Sequence, residues 1–101
     1  MTHFVIVRAD LPRGIQAANL VHAAGESSPG NLPTGTNAVV LSVPDEATLA
    51  AVADKLAVAG VPFVRIVEPD APYDNALMAI GCVPARKEVL RKHLSSLPLL
   101  Q

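Results

Sequence analysis

Aromatic side chains are almost missing from this 101-residue chain: Phe4, Phe63 and Tyr73 stand alone and there is no tryptophan. That scarcity counts against stacking on exposed nucleic-acid bases, and it leaves Ala, Val, Leu and Ile to build the core. Cys82 is the single cysteine, which excludes an internal disulfide, a Cys-x-x-Cys redox pair and a cysteine-rich zinc cluster. A reducing, cytoplasmic setting fits best. No window approaches the ~18 consecutive apolar residues of a membrane span. The opening run His3-Phe4-Val5-Ile6-Val7 is too short for a signal-peptide core and meets Arg8 and Asp10 at once. Neither sign of charge is in excess: eight basic against nine acidic residues leave −1, which excludes a protein that holds nucleic acid by bulk charge. The length fits one small domain.

What is present alternates between two patterns. Phe4–Val7 is an apolar, β-branched run, the mark of a strand buried on both faces. Pro12 and Gly14 break it. From Ile15 to about Glu26 the Ala-rich stretch predicts a helix whose inward stripe is Ala17, Leu20, Val21 and Ala24. Residues 27–37, rich in Pro, Gly, Ser and Thr, read as a loop. Ala38–Val43 predicts a second strand, stopped by Pro44-Asp45-Glu46, with Pro44 at the first position of a helix reaching Ala59. Leu49, Val52, Ala53 and Leu56 form its buried stripe, and Gly60 is placed for a left-handed C-terminal cap. Pro62–Val67 and Ala76–Cys82 are the third and fourth strands, joined by the acidic loop Glu68–Asn75. A last helix from Arg86 to about Leu94 turns Val89, Leu90 and Leu94 inward. The order β-α-β-α-β-β-α predicts a three-layer α/β/α fold: a mixed four-stranded sheet, with parallel pairing across the helical crossovers and a hairpin between the last two strands.

Ligands of such sheets bind beyond the carboxyl ends of strands, which directs attention to Asp10–Gly14 and the helix that follows. Ile15, Asn19, His22 and Glu26 share one face of that helix. Asn19 and His22, one turn apart and opposite the apolar stripe, are either its solvent side or a pair able to orient a carbonyl and shuttle a proton. Glu68, Asp70 and Asp74 offer carboxylates to activate water or fix the His22 tautomer; the alternative is a solvated acidic loop. If the third strand runs parallel to the first, Glu68 and Asp70 emerge at the same sheet edge as Asp10. No recognised metal-ligand spacing occurs, and no metal or cofactor is expected. Arg86, Lys87, Arg91 and Lys92 are half of all basic residues, so with Glu88 this segment carries +3 and the remainder −4. Such a helix is either a phosphate-binding patch or a solvated face complementing the helix dipole. His93 and Cys82 read as packing residues. Leu94, Leu97, Leu99 and Leu100 need cover, from their own sheet or from a homodimer.

Three motifs in this order resemble the type-2 peptidyl-tRNA hydrolase family. They are the strand end Val7-Arg8-Ala9-Asp10-Leu11, the helix Ala17-Ala18-Asn19-Leu20-Val21-His22-Ala23-Ala24, and Ala79-Ile80-Gly81 followed by Pro84; Val39-Val40-Leu41 with Pro44-Asp45-Glu46-Ala47-Thr48-Leu49 is similar to the middle of the family's chain. The resemblance covers nearly the whole length. It implies a hydrolase of the ester between a peptide and the ribose of tRNA, with peptidyl-tRNA as partner. Such an ester needs a positioned water, a base and an oxyanion donor, which makes Asp10, Asn19, His22 and one of Glu68 or Asp70 the candidate catalytic residues, and the cations Arg13, Arg86, Lys87, Arg91 and Lys92 are the candidate tRNA contacts. The chain departs from the family pattern at Ile15, where the family has lysine, at Asn19, where it has glutamine, and at Glu68-Pro69-Asp70-Ala71-Pro72-Tyr73-Asp74, which replaces an Asp-x-x-Arg-Thr-Gln loop. Those departures look like the divergent peptidyl-tRNA hydrolase domain-containing subgroup. The alternatives are a non-catalytic RNA- or protein-binding domain on the same fold and a hydrolase of another small ester.

Overall fold

The structure, a computed structural model, describes residues 1–101. Its elements are β1 (Thr2–Arg8), α1 (Arg13–Ser27), β2 (Asn37–Val43), α2 (Glu46–Val58), β3 (Phe63–Glu68), β4 (Ala76–Cys82) and α3 (Lys87–Leu94). The strands form one sheet in the order β2-β1-β4-β3. β1 and β2 are parallel, while β4 is antiparallel to both β1 and β3. The mixed α/β sheet and the order of elements are those the sequence predicts. The expected parallel pairing across the second crossover does not form, because β4 inserts between β1 and β3. Even so, β3 runs in the direction of β1, and the ends of both strands reach one edge of the sheet.

Alternation along β1 divides the core into two layers. Phe4 and Ile6 face α2 and α3 and pack with Leu41, Leu49, Leu56, Ile80, Leu90 and Leu94. Val5 and Val7 face α1 and pack with Ala23, Ile66 and Ala79. No helix is long and apolar enough to cross a membrane.

Helix α1 departs from the predicted stripe. Its buried residues are Asn19, Ala23 and Ser27, one helical turn apart, whereas Val21 is 73% exposed and Ala17 is also exposed. The reason is a close approach to β4. A Cβ at Gly81 would collide with the Ala23 carbonyl oxygen and stand 2.6 Å from Ser27 Oγ, so the helix seats its small side chains on the glycine and turns the larger ones aside. Ser27 Oγ donates to the Ala23 carbonyl at 2.6 Å and lies 2.7 Å from His3 Nε2. The His3 Nε2–H tautomer completes a chain of donors running from the sheet into the helix.

Burial lowers the His3 pKa below its ordinary value. The unfolded chain therefore takes up the proton first as pH falls. The stability this group contributes is complete above the unfolded value of about 6.5 and is lost as pH drops from there through the folded value. Urea titrations from pH 8 to 5 are expected to show falling stability, and His3→Gln should remove that share of the slope. An unchanged slope in the variant would show that His3 is not its origin.

Pro44 lies outside α2. Asp45 is the N-cap instead, its Oδ1 accepting from the Thr48 N–H at 2.8 Å and from Thr48 Oγ1 at 2.7 Å, since a short carboxylate satisfies a free amide donor that proline cannot reach. At the other end Gly60 adopts φ +72°. The Gly60 N–H donates to Ala57 and the Val61 N–H to Leu56, the paired bonds of a Schellman cap. In α3 only Leu90 and Leu94 are buried and Val89 is half exposed, because an eight-residue helix meets the core along a single stripe. Cys82 is buried and its thiol is pushed up to about 11 by that burial, so it stays protonated and inert. The leucine-rich tail returns to its own sheet: Ser42 donates to the Pro98 carbonyl and Leu100 to the Val40 carbonyl along the outer edge of β2.

Candidate active site

The sheet edge where β1 and β3 end holds a hollow of about 230 Å³ between α1 and the β3–β4 loop. Ile15, Ala18, Asn19 and His22 line it from the helix, Glu68, Ala71 and Tyr73 from the loop, and Met78 from β4. Three residues picked from sequence for their chemistry, Asn19, His22 and Glu68, thus share one small cavity. Their convergence has a simple cause. Asn19 and His22 are three residues apart on one helical flank, and β3 runs parallel to β1, which carries Glu68 to that flank.

Each of the three is held differently. Asn19 is 7% exposed, not on a solvent face opposite the core as the stripe predicts. Its Nδ2 donates to the Ile15 carbonyl at 2.9 Å. That bond fixes the amide and leaves its oxygen and second N–H without a protein partner. His22 is exposed and forms no hydrogen bond, with Glu68 or with any other group. Glu68 is half-buried and its Oε1 accepts from the Asp70 N–H at 3.1 Å, which anchors the carboxylate at the start of the loop. The loop is closed by backbone bonds from Tyr73 and Asp74 to the Asp70 carbonyl and from Asn75 to the Glu68 carbonyl. Asp74 and Asn75 both adopt positive φ in this turn.

Asp10 and Asp70 stand outside the hollow. Arg8 grips Asp10 in a two-pronged ion pair, Nε to Oδ1 and Nη2 to Oδ2, both at 2.9 Å, and donates a third bond to the Leu77 carbonyl. The hydrogen bonds from Arg8 hold the Asp10 carboxyl below its ordinary pKa. A carboxylate so stabilised is a weak proton acceptor; it holds the Arg8 guanidinium, which ties the end of β1 to the start of β4. Asp70 and Asp74 are exposed on the loop.

The expected RNA contacts do not gather round the hollow. Arg13 lies on the other flank of α1, in a shallow depression with Gln16, Leu20 and Leu100. Lys87 and Arg91 line a cavity with Thr2 and Asn37, the first residues of β1 and β2. They therefore sit on the opposite face of the sheet and at its opposite end. Arg86 and Lys92, also on α3 or its cap, are exposed. No group of three or more His, Cys, Asp or Glu side chains converges to hold a metal ion.

No protein-family model and no curated protein matches the sequence.

Two lining residues escape a sequence reading. Met78 enters the hollow because β4 carries an extra residue there: Ile66 opposes Ala79 and Val67 opposes Leu77, leaving Met78 as a bulge that faces α1. Neither glycine nor proline marks it. Tyr73 reaches the hollow only through the fold of the acidic loop.

Proposed function

We propose that this chain is a cytoplasmic esterase of the peptidyl-tRNA hydrolase kind, cleaving the bond between an N-blocked aminoacyl or peptidyl group and the ribose of tRNA with an activated water. The observation that carries the reading is the meeting of Asn19, His22 and Glu68 in one hollow, on the helix whose motif resembles that family. Ester hydrolysis needs a base, a positioned water and a donor to the developing oxyanion. His22, with no hydrogen bond to hold its ring, is free to take the water proton, and Glu68, anchored and half-buried across the hollow, supplies the negative charge that favours the imidazolium that forms. The attacking oxygen bonds to the carbonyl carbon, the base accepts its proton, and the free N–H of Asn19 donates to the oxyanion. Collapse expels the ribose oxygen, which regains the proton. The hollow has room for several waters at ~30 Å³ each, matching a small reacting centre with the bulk of the substrate outside.

Ile15 puts an apolar side chain at the rim where the resembling family has a cation. The tRNA backbone then depends on the flank carrying Arg13, and the α3 cations take no part in holding the ester. Incubation of the purified protein with N-acetylated aminoacyl-tRNA is expected to release free tRNA. Salt-dependent tRNA binding with no release above a buffer blank would replace this reading with that of a non-catalytic RNA-binding domain.

A further inference from the structure

The largest cavity in the molecule, about 540 Å³, has no part in the chemistry above. Helix α2 packs chiefly on β4, and the cavity lies on the same face of the sheet where the short helix α3 and the turn after it meet the starts of β1 and β2. Phe4, Val39, Leu41, Leu94 and Leu97 give it an apolar lining, and Lys87 and Arg91 line it from α3 together with the uncharged polar side chains of Thr2, Asn37 and Ser95. No carboxylate lines it. Lys87 and Arg91 are separated by one helical turn, which brings their charges to the same side. Neither has an acidic partner, since the single ion pair of the chain is Arg8 with Asp10. A cavity that joins an apolar lining to two unpaired cations suits a molecule with an apolar chain and an anionic head.

We propose that this cavity binds a medium-chain carboxylate, with the hydrocarbon along Phe4, Val39, Leu41 and Leu97 and the carboxylate between Lys87 and Arg91. The acid's two oxygens suit the pair of donors. A bare inorganic anion would leave the apolar lining uncovered, and a neutral chain would leave both cations unpaired. The site lies on the opposite sheet face from the Asn19–His22–Glu68 hollow, so it stands independently of the esterase reading.

Decanoate, used below its micelle concentration, tests the proposal by calorimetry and by amide shifts of the 15N-labelled full chain. Saturable binding is expected, with shifts centred on the starts of β1 and β2 and on α3. Lys87→Gln combined with Arg91→Gln should weaken binding about 10-fold or more, since each removes a charge-assisted contact. Both side chains are exposed, and an unchanged far-UV spectrum confirms that the double variant is folded. Decanol and acetate, the tail and the head alone, should each bind at least about 10-fold more weakly than decanoate. Absence of saturable binding, equal affinity for decanol, full affinity in the double variant, or shifts confined to α1 and the β3–β4 loop would each overturn it.

Discussion

Gly81→Ala is expected to destabilise the protein by about 3 kcal/mol, at the upper end of the usual cost of overpacking a core. The new methyl group would meet the Ala23 carbonyl oxygen, with the carbonyl carbon 2.9 Å away and Ser27 Oγ at 2.6 Å. Two of those three atoms belong to the backbone of α1, so no rotamer change relieves the clash. The helix must move off the sheet, and with it the His3–Ser27 bond and the packing of Ala23 against Val5, Val7 and Ala79. Urea denaturation followed by circular dichroism measures the effect. Adding Ser27→Gly to Gly81→Ala should recover only a small part of the loss, because the Ala23 carbonyl stays in place. A midpoint for Gly81→Ala equal to that of the parent protein would show that α1 is not held against β4 at this distance.

His22→Ala is expected to slow release of tRNA from N-acetylated aminoacyl-tRNA roughly 10²- to 10⁴-fold, the usual contribution of a positioned acid–base group. The imidazole is exposed and has no hydrogen bond to lose, so the melting temperature should hardly change; exposed substitutions of this sort normally fall within about 0.5 kcal/mol. Glu68→Gln should also depress the rate, whereas Asp70→Asn should leave it near that of the parent, because only Glu68 lines the hollow. The contrast between these two acids is the sharper measurement. A normal rate in Glu68→Gln together with a slow Asp70→Asn would reverse the assignment, and a normal rate in His22→Ala would remove His22 from the chemistry.

Order along the chain was legible because every strand is an apolar run bounded by Pro, Gly or acidic residues. Ala76–Cys82 matches its predicted limits, and Gly60 caps α2 as its position implies. Adjacency was not legible. The insertion of β4 between β1 and β3 depends on pairings such as Val5 with Gly81, remote in sequence and without local signature. Hydrophobic weight also misdirected the reading of α1. Val21 and Ala17 fit an apolar stripe, yet a glycine on the facing strand draws in Ala23 and Ser27 and rotates Asn19 into the wall of the hollow. Asn19 and His22 could thus be chosen from spacing while their surroundings could not. Glu68, Asp70 and Asp74 were equivalent in composition, and only the direction of β3 and the closure of the loop distinguish Glu68.

The tail that folds back on β2 bears on how the molecule behaves in company. An open sheet edge is a template on which a second chain can grow a strand. Here Pro98 and Leu100 occupy it with two backbone bonds, and Pro98, having no N–H, cannot return a third. These bonds close the edge of β2 at Val40 and Ser42 to a neighbour's strand. At those two positions residues 98–100 act as a stopper against self-templating, and the exposed side chain of Leu99 is the apolar surface left showing by that arrangement.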